Sequence, residues 1–143
     1  MKIYSDSFKN NGQIPSKYTC EGENINPPLL IRDVPNNTKS LALIVDDSDA
    51  ISGVWVHWIV WNIDPSTSKI EEGKSIGIEG VTSFGDNGYG GPCPPSGTHR
   101  YVFKLFALDT ILDLPDTTNK NKLISEMNGH IIDTAKLTGL YSK

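Results

Sequence analysis

The sequence predicts a mostly β protein, an all-β sandwich with one small helical addition. Three observations predict it. Apolar runs rich in β-branched and aromatic residues recur along the chain, a stretch dense in Gly and Pro separates two of them, and one later segment has helical spacing. Hydrophobic residues at 37% and charged residues at 21% are those of a folded globular chain. The 143 residues match one ordinary domain, which buries roughly 68% of its unfolded surface. No repeat, low-complexity tract or linker divides the chain, so residues 1–143 are read as a single domain.

Taken in order, Ser40 to Val45 is short, mostly apolar and ended by Asp46-Asp47, which reads as a buried strand. Val54 to Trp61 is rich in β-branched and aromatic side chains and reads as a second. From Ile70 to Gly97 the glycines 73, 77, 80, 85, 88, 90, 91 and 97 and the prolines 92, 94 and 95 forbid a regular helix. They predict a long ordered loop, and such loops in compact domains tend to be functional. Tyr101 to Leu108 is a third buried strand, and the three are expected to neighbour one another in the core sheet. Thr118 is read as the N-cap of a helix over 119–127 with Gly129 as its stop. Leu123, Ile124 and Met127 give that helix one apolar face. Ile131 to Leu140 reads as a last strand.

The formal charge is −4 and no stretch concentrates the bases, which argues against a nucleic-acid partner. The longest apolar run, Val54 to Ile63, is interrupted by His57 and Asn62 and is too short to span a bilayer. The first seven residues turn polar at once and lack a signal-peptide core, so a cytoplasmic home is expected. In that compartment Cys20 and Cys93 are expected as reduced thiols.

Two constellations carry chemistry. Asp46, Asp47 and Asp49 close one strand, and His57 follows within the next, so carboxylates at a sheet rim lie within reach of a hairpin back to an imidazole. The competing reading is an ordinary acidic turn with a core histidine. The second runs from Gly90 through Pro92, Cys93, Pro94 and Pro95 to His99 and Tyr101. A Gly/Pro loop can hold backbone N–H groups in a nest for an anion. His99 and Tyr101, two apart on a strand, share a face while Arg100 points away. This pattern suits phosphate or sulfate; the competing reading is a rigid loop with surface aromatics. There is no Gly-x-Ser-x-Gly elbow, His-Glu-x-x-His, phosphate-loop Lys or dinucleotide fingerprint.

Together the two constellations resemble the phosphatidylethanolamine-binding protein family, in its bacterial and archaeal Raf-kinase-inhibitor-like branch. The resemblance is carried by the stretch from Gly88 to Tyr101, by Tyr18 to Leu29, by Val56-His57-Trp58 and by the ending Gly139 to Lys143, nearly the whole chain in order. It implies a large central antiparallel sheet packed on a smaller sheet, a short peripheral helix, and an anion pocket at one end of the sheet. Carried over by position, the pocket would use Asp47, Asp49, His57, His99 and Tyr101, with Trp55 at the wall and Gly91, Pro94 and Pro95 at the rim. The resemblance implies a small anionic ligand such as phosphate, sulfate or a phosphorylated head group, a kinase, protease or phospholipid as partner, and a homodimer; no cofactor or metal is expected.

One departure stands out. The family's acidic loop usually reads Asp-Pro-Asp-Ala-Pro, and here it is Asp47-Ser48-Asp49-Ala50-Ile51. With Ile after Ala50, a trans Ala50–Ile51 bond and a locally shifted loop are expected, since a cis bond outside proline costs roughly 3 kcal/mol. Because Cys20 and Cys93 lie in two motifs that border the pocket, they are expected to approach one another and stay reduced. The leading function is a ligand-binding or regulatory protein rather than an enzyme. The alternatives are a hydrolase, either His/Asp acid–base or metal-dependent through Asp47, Asp49, His57 and His99, and a structural dimer module with a vestigial pocket.

Overall fold

Strand β4 (Ser40–Asp47) is buried at every position, which is why its sequence reads as a continuous apolar run rather than an alternating one. It lies between β5 (Trp55–Ile63) and β8 (Thr98–Leu108), antiparallel to both. The three strands expected to adjoin therefore do. The computed structural model describes residues 1–51 and 53–143. β9 (Ile131–Ser142) continues the sheet beyond β8, β2 (Gly12–Gln13) runs parallel along its edge, and β7 (Ile78–Glu79) closes the other edge in the order β2-β9-β8-β4-β5-β7. A second, antiparallel sheet is built from β1 (Lys2–Tyr4), β3 (Leu29–Arg32) and β6 (Lys69–Ile70).

Strand alternation divides the large sheet's two faces. Leu41, Leu43 and Val45 of β4, with Phe103 and Leu105 of β8, pack beneath Ile3, Leu29, Ile31 and Ile70 of the small sheet. Ala42 and Ile44, with Leu108, pack instead against Leu123 and Met127 of helix α1 (Lys120–Met127). The expected architecture of a large sheet on a smaller one with a peripheral helix is the observed one.

Several details differ from the sequence expectation. The helix is capped by Asn119, whose side chain accepts from the Lys122 amide at 3.0 Å. Thr118 is unsuited to that role because its amide donates to Pro115 and its carbonyl accepts from Val81, locking it into the preceding turn. Ile124 is 44% exposed, so the helix buries Leu123 and Met127 alone. β9 runs two residues past Leu140, held there by pairing of Thr98 with Ser142. The Gly/Pro stretch is a loop interrupted by β7 and one bridge between Val81 and Asn87. Among the described residues no helix is long and apolar enough to cross a membrane.

Candidate functional site

At the end of β4, β5 and β8 a cavity of about 410 Å³ opens, on the face that carries the small sheet. A β-bulge places its first histidine. Val45 pairs with Trp58 and Asp46 with Val56, leaving His57 as the extra residue of β5. Bulges bend a strand and re-aim a side chain. The consequence is that Trp55, His57 and Trp58 all lie on the small-sheet side, which strict alternation forbids. Tyr101 sits opposite Asp47 in register, and His99 lies two residues before it on the same face.

The two imidazoles are fixed in the same sense. His57 Nδ1 donates to the Gly90 carbonyl at 2.7 Å, and the Gly90 amide returns a bond to the His57 carbonyl at 2.9 Å. His99 Nδ1 donates to Asp47 Oδ2 at 2.6 Å, a charge-assisted contact in which both side chains are buried. A carbonyl and a carboxylate only accept, so each Nδ1 carries hydrogen. Neither Nε2 has a partner among the described residues, and neither is sealed from solvent. Both rings line the cavity with their Nε2 uncommitted. Burial holds the His57 pKa below its ordinary value, against the opposing pull of the Gly90 carbonyl and Asp47. The Tyr101 phenol is pushed up by burial and by the nearby carboxylates of Asp47 and Asp49, so it stays a neutral hydroxyl.

The site residues read from sequence divide into two groups. Asp47, Trp55, His57, Pro94, Pro95, His99 and Tyr101 all line the cavity. Asp49 and Gly91 do not. Asp49 instead clamps Arg100, accepting from its backbone amide and from Nε at 2.9 Å each and from Nη2 at 2.7 Å. That guanidinium lowers the carboxyl to about 2. The Gly91 amide is consumed by Asn24 Oδ1 at 2.8 Å. With the Gly90 amide bound to His57 and prolines at 92, 94 and 95, the expected backbone nest has almost no free N–H left to offer an anion. Gly91 is nonetheless required, because a Cβ there would collide with the Tyr18 carbonyl and the Asn24 side chain.

The thiol expectation is overturned. Cys20 and Cys93 form a disulfide, with S–S 2.00 Å and Cα atoms 5.5 Å apart. Three cross-loop bonds set the approach: Cys20 N–H to the Pro92 carbonyl, Tyr89 Oη–H to the Tyr18 carbonyl, and Gly91 N–H to Asn24. The Ala50–Ile51 bond is trans, since no cis peptide occurs among the described residues. Four lining residues were not singled out from sequence as site residues. Ala50 and Ile51 come from the acidic loop, and Cys93 from the Gly/Pro loop. Phe84 packs its edge on His57 and Trp55 at centroid distances of 5.3 and 5.5 Å. Its signal was present: a large apolar side chain alone among Gly, Ser and Asp, still 43% exposed.

Among the described residues no Lys or Arg lines the cavity. Its ionisable groups are Asp47, the two histidines and Tyr101, and its remaining walls are apolar or aromatic. Asp49 is spent on Arg100, so the four-residue metal set considered from sequence does not converge. Among the described residues no group of three or more His, Cys, Asp or Glu is arranged to hold a metal ion.

Residues 4–142 match the family described as phosphatidylethanolamine-binding protein. The chain is 47% identical to a UPF0098 protein of Methanothermobacter thermautotrophicus, covering 100% of this chain and 99% of that one. It is 44% identical to a UPF0098 protein of Chlamydia trachomatis, again over 100% and 99%. Among solved structures, a phosphatidylethanolamine-binding protein homologue from Chlamydia trachomatis superposes with TM-score 0.97 at 43% identity, covering 99% of this chain and 97% of that one. Escherichia coli YbcL, described as a member of the mammalian family of the same name, superposes with TM-score 0.92 at 30% identity, covering 99% and 98%.

Proposed function

This chain belongs to the phosphatidylethanolamine-binding protein family, and from that premise we propose that it is a binding protein rather than an enzyme. Its ligand is a small anion, phosphate, sulfate or a phosphorylated head group, held between His57 and His99. What supports this reading is the pair of imidazoles whose Nδ1 atoms are committed and whose Nε2 atoms are not. Among the described residues no fixed cation lines the cavity, so attraction for an anion comes from protonated histidine. Protonated His99 beside Asp47 makes a pair of no net charge, and protonated His57 supplies the surplus positive charge. Binding is therefore coupled to proton uptake, with Asp47 orienting His99 rather than touching the anion.

The regulatory role, a kinase, protease or phospholipid partner, a homodimer and a cytoplasmic location belong to the same proposal and rest on the family alone. The site itself is tested by calorimetric titration of sulfate into the protein and its variants. His99→Ala should weaken binding by about 1.5–3 kcal/mol, the range for a hydrogen bond to a charged group. His57→Ala should weaken it as well. Sulfate affinity unchanged in both variants, with folding intact by circular dichroism, removes the pocket as the anion site.

A further inference from the structure

We propose that the Cys20–Cys93 disulfide is a thiol-exchange site opening on the ligand cavity, and that its cleavage frees the Pro94–Pro95 wall of that cavity. Both cysteines are exposed to solvent. Cys93 lines the 410 Å³ cavity and also a second one of about 210 Å³, which Cys20 lines as well. The bridge therefore borders two open spaces, where a small thiol can reach it.

The loop's hydrogen bonding shows what the bridge holds. Up to Pro92 the loop is tied down: Gly90 to His57, Gly91 to Asn24, and the Pro92 carbonyl to the Cys20 amide. The next main-chain tie is the Gly97 carbonyl, which accepts from the Lys143 amide at 3.2 Å. Between them no main-chain group bonds another among the described residues, and Pro94 and Pro95 have no N–H to give. The Cys93 amide faces the Tyr101 phenol and Pro94 is buried; beyond these contacts the covalent link is the tie that holds Cys93 to the rest of the fold. A segment with few hydrogen bonds is the one that a lost tether releases first.

The exchange uses a low-molecular-weight thiol as co-reactant. Its thiolate attacks one cysteine sulfur, the S–S bond breaks, and the electron pair leaves on the other cysteine as a thiolate. A second thiol resolves the mixed disulfide, leaving both cysteines reduced and the co-reactant oxidised. Reduction thus turns a braced wall into a mobile one, and re-oxidation restores it.

Folded protein, free of sulfate and denaturant, is treated with dithiothreitol and then iodoacetamide, and ¹⁵N relaxation is measured before and after. Mass spectrometry should find both cysteines alkylated. Backbone order parameters at Cys93, Ser96 and Gly97 should fall from about 0.85 to below about 0.6, while Val102 to Leu105 of β8 keep rigid values. Cys93→Ser should show the same loosening without reductant. Thiols that alkylate only after denaturation overturn the proposal, as do order parameters at Ser96 and Gly97 that are the same in oxidised and reduced protein. No ligand enters these measurements, so their outcome is separate from that of the anion reading.

Discussion

Asp46, Asp47 and Asp49 stand within four positions of sequence and perform three unrelated tasks. Alternation along β4 sends Asp46 to the helix side, where its buried carboxylate accepts from Lys104 Nζ at 3.1 Å and Lys120 Nζ at 2.7 Å. Asp47 points the other way and orients His99. Asp49, past the strand end, holds Arg100. Breaking a buried ion pair from one side typically costs 3–5 kcal/mol because the partner charge is left stranded. Lys104 is about one-third exposed and can be re-solvated, whereas Lys120 is 18% exposed. Asp46→Asn should therefore cost about 3 kcal/mol, at the low end of that range, read from urea unfolding with sulfate binding unchanged. At this scale, the acids were legible as closing a strand, but their opposite facing follows from β4 running on through Asp47, two residues past the strand end read from sequence. The Asp49 clamp was not legible, because its partner is 51 residues away and no local pattern marks it.

Among elements, the three core strands were legible for two reasons. β4 and most of β5 are buried on both faces and read as largely apolar runs. β8 alternates buried with less buried positions yet is rich in aromatic and aliphatic side chains. The bulge in β5 was not. Period-two reading puts His57 on the same face as Trp55 and Ile59, whereas Ile59 packs on the helix side and Trp58 joins His57 on the other. A single extra residue therefore decides that the imidazole enters the cavity. The Gly/Pro loop was legible as ordered, but its amides turn inward to His57 and Asn24 instead of outward to a ligand. Those inward ties make the loop's seating the sensitive feature. Gly91→Ala forces a Cβ against the Tyr18 carbonyl and should destabilise by about 1–3 kcal/mol, the usual cost of overpacking. Thermal unfolding checks it: a melting temperature equal to that of the parent would mean the two loops are not packed as described.

For the molecule as a whole, the small sheet covers one face of the large sheet and α1 the other, leaving the end of β4, β5 and β8 open as the cavity. The motifs carried the fold and most of the cavity lining, because those motifs supply the cavity's walls. The disulfide was missed because thiol state was inferred from an expected compartment rather than from the contacts that join the two loops. The central claim is that anion binding draws its positive charge from histidine. A bound anion favours imidazolium, so protons must be taken up on binding. Burial depresses His57 below its ordinary value of about 6.5, so in the free protein this ring is largely neutral at pH 7. Affinity should then rise as pH falls, and go on rising below about 6.5 until free His57 itself is protonated. The direct measurement is sulfate titration by calorimetry from pH 8 to pH 5 in pairs of buffers differing in ionisation enthalpy. Net proton uptake at pH 7, with affinity increasing toward pH 5, is the predicted result; zero proton uptake with a pH-independent affinity would contradict it.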